Sequence, residues 1–558
     1  RNKKFAIAVL GVTAAGLAGP LQAQTQGTIG QGGTFSPLSP FSPIPTQSSV
    51  LPNPMAIPGA TAVSAAQPAA VPESETAAPK RLWSIVPRIT AQEILTDNVA
   101  PASGVKRSDQ VTEIAPGIRV DADTARLKFH LDYQLRQLFY AQESNRQNTQ
   151  NYLNSFGTLE ALDKWLFVDV SGVVAQQAIS PFRFQTASNV SVNPNRVETS
   201  SFRVSPFIRG KLAGSADYEL RYGRSTTQSS SAFVADVDTE EWSGVIKGVT
   251  PMASLGWAVD ASRRNIDYQG GRGNEESRFR GLLAYRIVPE FRVSASAGQE
   301  TNNFSSANNQ THDTYGYGFD WLPTERTQVS GFREKRFFGF GHSFTAAHRT
   351  PLTALKFEDV QDVAVLPARF NTVGLGSIHN LLFTQLTSSI PDPVERSRYV
   401  DNLLQQFGIS PNAIVNSGFF TSRASLQRRQ ELSYSLQGAR NMLTLSLGQT
   451  LHQALGPAAG ANDIFVATRN IRQRGYSVSF GHKLTPLTSL NAVASQQHSA
   501  GTSGTNLSSD IRSLHIGATT QLGPKTSASL GVRRSLFESS IVNHYSENAL
   551  IGTFTAQF

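Results

Sequence analysis

From about residue 82 to the end of the chain, apolar and polar positions alternate with a period of two. Residues 126–135, RLKFHLDYQL, place Leu127, Phe129 and Leu131 on one side, and residues 314–321, TYGYGFDW, place Tyr315 and Trp321 on one side. This period is typical of β-strands, because successive side chains point to opposite faces. The pattern continues for more than 450 residues without a break for a second domain, so the chain is predicted to be all-β.

The last segment, ENALIGTFTAQF, shows which surroundings such strands require. One row holds Leu550, Phe554 and Phe558, and the other is mostly polar. A strand with lipid on one face and a wet lumen on the other would have this composition. A terminal Phe with apolar residues at alternate positions also resembles the signal read by the barrel-assembly machinery. Leu550, Phe554 and Phe558 are therefore the candidate C-terminal assembly signal.

The connections between the predicted strands alternate between short and long. Six short ones share a proline, at positions 251, 289, 323, 351, 486 and 524, and four less obvious short turns lie near residues 122–124, 161–164, 213–216 and 438–441, whereas the long ones are polar. A spacing near 35 residues fits two strands and one loop, given the 9–11 residues that a tilted strand needs to cross a membrane. The sequence predicts a transmembrane antiparallel up-and-down β-barrel of about 22 strands (range 18–24) over residues 81–558.

One long insert, residues 365–416, interrupts the strand pattern. In DPVERSRYVDNLLQQFGI, Asp392 can cap a helix that has Pro393 in its first turn, and Val400, Leu403 and Phe407 share one face. SIHNLLFTQLTS is a second candidate helix. The pattern leaves open whether the insert is a plug in the lumen or a cap over its mouth.

The composition and the N-terminal segments indicate the cellular compartment of the protein. The chain has 558 residues and no cysteine, and its formal net charge is +9. Without cysteine it has no disulfide and no thiolate metal ligand. Residues 1–23 have the basic start, apolar stretch and small-residue end of a signal peptide, and residues 24–80 are rich in Pro, Ala and Gln without a period. We expect a cleaved signal peptide, a disordered periplasmic segment, and location in the cell outer membrane.

The candidate binding residues are basic side chains on the inward parity of their strands. They are Arg278, Arg280, Arg286, Arg292 and Arg533. Arginines in a narrow lumen would attract anions and bind carboxylate or phosphate. The alternative is that they pair with inward acids such as Asp320 and Glu300 and support the wall.

Signals for catalysis are weak. No HExxH motif and no glycine-rich phosphate loop is present, and the ten histidines are scattered. Asp320, His342 and His348 could together form the site of an outer-membrane lipid hydrolase, but nothing in their spacing requires that they meet. We therefore expect no enzyme activity, no cofactor, no metal site and no nucleic-acid partner.

Several segments in fixed order carry a family resemblance. The chain resembles the outer-membrane β-barrel family associated with the PEP-CTERM/exosortase system of Gram-negative bacteria in ILTDNV, SDQVTEIAPGIRV, LDYQLRQLFY, FREKRFFGFGHSF followed by HRTPLT, DPVERSRYVDNLLQQFGI and LSYSLQGARNMLTLSL. The resemblance covers about residues 82–558. It implies a link to exopolysaccharide, and it supplies no catalytic residues.

The sequence therefore favours a monomeric outer-membrane channel or export-assisting barrel. Its expected partners are outer-membrane lipid, the assembly machinery and an anionic polysaccharide. The alternative is a structural or adhesion barrel whose lumen is closed by residues 365–416.

Overall fold

The computed structural model describes residues 82–558 except for several gaps. The gaps are 102–104, 144–147, 213–215, 232–234, 253, 270, 366–376, 389, 412–418, 420–422, 457–464, 466–467 and 503–505. The predicted signal peptide and the predicted periplasmic segment lie outside the described residues, as do parts of the 365–416 insert.

The described chain forms 22 strands. They are β1 (Trp83–Thr96), β2 (Asp109–Asp123), β3 (Leu127–Tyr140), β4 (Asn148–Leu162), β5 (Leu166–Ala178), β6 (Arg196–Leu212), β7 (Ala216–Ser229), β8 (Val237–Val249), β9 (Leu255–Tyr268), β10 (Asn274–Val288), β11 (Phe291–Asn302), β12 (Gln310–Thr324), β13 (Thr327–Arg336), β14 (Gly339–Arg349), β15 (Thr353–Ala364), β16 (Ser425–Gln437), β17 (Asn441–Ala454), β18 (Asn470–Lys483), β19 (Thr488–Gly501), β20 (Ser508–Gly523), β21 (Thr526–Ser539) and β22 (Tyr545–Gln557).

Every strand pairs antiparallel with the next one along the chain, and the last strand pairs with the first. The closing register runs from Arg88 opposite Gln557 to Thr96 opposite Ala549. Closure removes the unpaired edges that an open sheet would present. The predicted antiparallel up-and-down barrel and its strand number are confirmed.

The two ends of the barrel differ in their connections. At one end, called the short-turn end, consecutive strands are joined by a few residues, as between Val288 and Phe291. Register shifts lie beside four of these turns, near Glu160, Arg286, Trp321 and Gln521. Such irregularities bend a strand where pairing stops. The other end, called the long-loop end, carries the longer connections and the insert, apart from the two-residue turn between β13 and β14.

The outer wall is apolar and the inner wall is polar. Leu550, Phe554 and Phe558 are exposed on the outside, whereas Thr553 and Gln557 line a cavity inside. The two-row interpretation of the last strand is therefore confirmed, although no observation tests its role as an assembly signal. On β20 the outward apolar row from Leu522 to Leu514 is about 20 Å tall, allowing for strand tilt.

Aromatic side chains mark the edges of this apolar belt. Four of the five tryptophans lie at the short-turn end with outward parity, at positions 83, 165, 257 and 321. The fifth, Trp242, lies higher on the wall, where its ring is 4.8 Å from that of Tyr222. Trp and Tyr prefer the boundary between hydrocarbon and water, so their positions fit the two faces of a bilayer.

The insert contains two helices, α1 (Ile378–Gln385) and α2 (Pro393–Gln406). Asp392 caps α2 by accepting hydrogen bonds from the backbone N–H groups of Val394 and Glu395. At the other end, Gly408 has a φ of +65°, and the N–H of Ile409 donates to the carbonyl of Leu404. This left-handed glycine stop is common at helix C-termini. Both predicted helices are therefore present.

No helix among the described residues is long and apolar enough to cross a membrane.

Candidate functional site: the lumen and its helical insert

The insert leaves the barrel at the long-loop end but reaches the short-turn end through the lumen. Gln385 at the end of α1 donates to the carbonyl of Ala354, two residues into β15. Ser489 at the start of β19 donates to the carbonyl of Gln406 at 2.7 Å. Both wall residues lie beside short turns, on the side opposite to where β15 ends. The two helices are therefore a plug inside the lumen rather than a cap over the mouth.

An apolar cluster joins the two helices to each other and to the wall. Ile378 and Leu382 of α1 pack with Val400 and Leu404 of α2, and all four are almost fully buried. The cluster continues into Met442, Val493 and Phe156 on inward positions of the wall. Burying a side chain of this size contributes about 2 kcal/mol relative to exposure, so the packing holds the insert as one body.

Small residues let the end of α2 approach the wall closely. A Cβ added at Gly481 on β18 would lie 2.8 Å from Cβ of Phe407. The carbonyl of Gly408 accepts a hydrogen bond of 2.8 Å from Asn491 Nδ2 on β19. Phe407 and Gly408 therefore sit in a socket that a larger residue at position 481 would obstruct.

Three ion pairs connect α2 with β2 and β3. Asp392 pairs with Lys128. Asp401 is 3.1 Å from Arg119 Nη2, and Arg398 is 3.8 Å from Asp121. His379 of α1 is also 3.3 Å from Asp401. The helix face and the wall thus have complementary charges.

The partners of Asp401 and Asp392 determine the pKa values of these two carboxyl groups. Burial alone would raise the pKa of Asp401, but the hydrogen bond and charge of His379, together with Arg119, hold it at about 2. Burial likewise opposes ionisation of Asp392, yet Lys128 and the backbone amides at the start of α2 lower the pKa of Asp392. Both carboxylates are charged at neutral pH, as the ion pairs require.

A second inward segment lies at the long-loop end. The loop between β5 and β6, residues 179–195, folds into the barrel. Its carbonyls at Pro181 and Phe182 accept hydrogen bonds from Ser509 and Ser539, and that of Val190 accepts one from Tyr140. The loop therefore spans from β20 and β21 to β3.

Aromatic side chains from different loops meet beside this segment. Phe182 packs in one buried cluster with Phe419, which lies between the insert and β16, and with Phe465 of the loop between β17 and β18. The rings of Phe419 and Phe465 are 6.4 Å apart. Loop residues from three connections thus narrow the lumen at the long-loop end.

A chamber of about 490 Å³ lies between these two constrictions. Ser188 and Val190 of the β5–β6 loop line one side, and His379, Asp401 and Gly408 of the insert line another. Its wall is largely amide and hydroxyl in character, and includes Gln92, Gln134, Tyr152, Asn154, Asn491, Ser513, Thr519, Ser529, Thr553 and Thr555. The volume falls in the range of small-molecule sites.

The charges of the chamber are compensated. Arg88 is 2.6 Å from Asp132, and Arg136 is 3.6 Å from Glu113. Arg119 is shared between Asp132 and Asp401. The chamber is therefore polar without a strong excess of one sign.

The five predicted arginines do not form one group. Arg533 lies in the chamber wall, 2.9 Å from Glu547. Arg280 pairs with Asp260 at 2.9 Å and with Glu334 at 3.3 Å.

The remaining three are also on inward positions. Arg278 is 3.3 Å from Glu334, and Arg292 is 2.7 Å from Asp320. Arg286 follows at the same parity on β10. The pairing with Asp320 was the alternative weighed from sequence, whereas Glu300 pairs instead with Arg336. Contact of these arginines with an anion stays a prediction.

The structure separates the residues that a hydrolase would have to bring together. Asp320 faces the lumen beside Arg292, but His342 is 3.0 Å from Asp359 and His348 is 2.8 Å from Thr327 Oγ1. In the described ranges, no group of three His, Asp or Glu residues could hold a metal ion.

Sequence reasoning missed the residues that hold the insert, notably Arg119, His379, Asp401 and Gly481. The alternation along β2 and β18 could have identified Arg119 and Gly481 as lumen-facing residues. Nothing in the sequence indicates which wall residue meets which helix residue, because these contacts join positions more than 70 residues apart.

Comparison with known proteins assigns the chain to no family. No family model matches the chain, and no curated protein matches it. Similar solved structures include the siderophore receptor PirA from Pseudomonas aeruginosa, with 8% identity, 85% of this chain and 80% of that chain covered, and a TM-score of 0.41.

Two others are the FrpB iron transporter from Neisseria meningitidis and OccK2 (OpdF) from Pseudomonas aeruginosa. The first has 7% identity, coverage of 85% and 82%, and a TM-score of 0.46. The second has 9% identity, coverage of 85% and 98%, and a TM-score of 0.33. At these scores the likeness supports no functional conclusion, and the barrel assignment rests on the strand pairing.

Proposed function

We propose that the protein is an outer-membrane channel whose lumen is gated by the insert, residues 365–416. The observation that carries the proposal is the polar chamber inside a barrel with an apolar belt. Two constrictions bound the chamber, one formed by the β5–β6 loop and one by α1 and α2. A barrel that served only as a rigid support would have no need for a wet compartment between two separate inward segments.

The contacts that hold the insert against the wall support its proposed role as a gate. The insert contacts the wall through an apolar cluster, the glycine socket, three ion pairs and hydrogen bonds such as those of Gln385 and Ser489. The strands on either side of it, β15 and β16, pair directly with each other. Removing or moving the insert would therefore leave the barrel closed on itself. The gate can open without breaking a strand ladder.

The cargo we propose is polar surface material, with exopolysaccharide as the candidate that the family resemblance implies. An amide- and hydroxyl-lined chamber suits hydroxyl-rich material. Because Arg278, Arg280, Arg292 and Arg533 are paired with carboxylates, an uncharged or weakly anionic chain fits better than a small free anion.

Conductance in planar bilayers tests the proposal. We expect the full chain to show low conductance and a variant lacking residues 377–411 to show a stable, larger one. Heat-dependent gel mobility and circular dichroism establish that the deleted barrel is folded. A folded deletion variant with unchanged conductance would overturn the gated channel.

The second candidate is a structural or adhesion barrel with a permanently closed lumen. The aromatic cluster of Phe182, Phe419 and Phe465 favours it, because buried rings from three loops resist opening. This candidate predicts no conductance from either form of the protein.

A further inference from the structure

The outer wall has two grooves near its long-loop edge. The first, about 520 Å³, lies over β15–β19 and is lined by Phe357, Leu432, Leu447 and Tyr476. The second, about 380 Å³, lies over β20–β22 and is lined by Leu514, Ile516, Val532 and Leu550. Seven of these eight side chains are exposed on the outside. Each groove is thus a continuation of the apolar belt.

Each groove ends in an arginine on the side of the long loops. Arg474 on β18 borders the first groove, and Arg534 on β21 borders the second. Arg474 Nε donates to Gln449 Oε1 at 2.6 Å, which fixes the guanidinium beside the groove. Arg534 lies opposite Asn548 of β22, another lining residue of its groove.

The surrounding charges leave these two guanidinium groups available. Three nearby carboxylates are already paired: Asp510 with Arg512 at 2.7 Å, Asp359 with Arg428 at 2.7 Å, and Glu431, which lines the first groove, with Arg429 at 3.4 Å. Within the described part of the chain, neither Arg474 nor Arg534 has a carboxylate oxygen within 4.0 Å. Elsewhere on the same outer wall, Arg224 and Arg263 each have a glutamate at 3.9 Å.

We propose that the two grooves are binding sites for lipids with an anionic phosphate headgroup, in the leaflet nearest the long loops. An acyl chain lies along the leucines, and the headgroup phosphate binds the guanidinium of Arg474 or Arg534. Charge complementarity selects this occupant, since arginine matches phosphate geometry through paired N–H donors. The inference rests on the proposed membrane location and is independent of whether the lumen conducts.

Native mass spectrometry of the full chain in detergent, with phosphatidylglycerol or phosphatidylcholine added, tests the sites. We expect the wild type to retain phosphatidylglycerol preferentially, by about fivefold for each arginine. The double variant Arg474→Gln/Arg534→Gln should lose the preference. The matched control Arg224→Gln, which removes an outward arginine that has a glutamate partner, should keep it.

A second measurement separates this inference from the membrane location itself. Flotation with phosphatidylcholine vesicles, and with vesicles that also contain phosphatidylglycerol, reports insertion. Insertion into both, with equal retention of the two lipids by the wild type, would overturn the lipid sites and leave the membrane location standing. Failure to insert into either would overturn both. A double variant that keeps the wild-type preference would also overturn the sites.

Discussion

At the scale of single residues, a few side chains hold the insert against the wall. Asp401 is the centre of the polar contacts, because it joins Arg119 of the wall to His379 of α1. Removing one partner of such a buried pair costs more than the pair contributes, since it leaves the other charge without compensation.

Asp401 gives the docked insert a defined pH dependence. The pKa of Asp401 in the folded protein is about 2, below its ordinary value of 3.8. The contacts of ionised Asp401 therefore stabilise the docked insert fully above about pH 4, and this stabilisation is lost as the pH falls through about 2. The contribution is about 2 kcal/mol. A spin label attached to the cysteine of an Asn402→Cys variant should become more mobile below about pH 3.

The Asp401→Asn variant is the matched test of that assignment. It should be mobile already at neutral pH and show little further change down to pH 2. A wild-type label whose mobility does not change across this window would contradict the role given to Asp401.

Gly481 tests the socket by steric means. A methyl group there would collide with Cβ of Phe407, and overpacking of this kind costs about 1–3 kcal/mol. Gly481→Ala should therefore raise the label mobility and the conductance. Gly552→Ala is the control, because an added Cβ there meets nothing within 4 Å. Equal behaviour of the two variants would exclude the socket.

At the scale of elements, the sequence predicted what local patterns determine. The period of two, the proline turns and the Asp392–Pro393 start of α2 are local signals, and each corresponds to an observed strand, turn or helix. The position of α1 and α2 could not be predicted in this way. It depends on pairs such as Lys128 with Asp392, which are distant along the chain.

Asp392 carries two separable roles in α2, as N-cap and as partner of Lys128. Asp392→Ala removes both, and loss of a cap costs about 1 kcal/mol. Asp392→Asn keeps the cap, and Lys128→Gln removes only the ion pair. Hydrogen exchange at residues 394–397 should rise most in Asp392→Ala. If all three variants exchange equally fast, the cap does not stabilise the helix.

At the scale of the whole molecule, the alternation along each strand predicted that the arginines face the lumen. It did not identify their carboxylate partners. Arg278, Arg280, Arg292 and Arg533 each meet a carboxylate. A closed barrel brings side chains from neighbouring strands close together on the inner wall, so opposite charges pair across it. A single strand shows only its own alternation and cannot reveal this compensation.

If the insert closes a channel, as proposed, it can be locked reversibly with introduced cysteines, because the chain has no native cysteine. A Cβ at position 481 would lie 2.8 Å from that of Phe407, which is about 1 Å closer than the Cβ atoms of a disulfide. In Phe407→Cys/Gly481→Cys a small shift of the end of α2 therefore lets the disulfide form and hold the insert, whereas in the reduced form the added side chain at position 481 displaces it. Conductance of this variant should be low when oxidised and rise on reduction, with neither single-cysteine variant responding to the reductant. Equal conductance in the oxidised and reduced states would contradict the account.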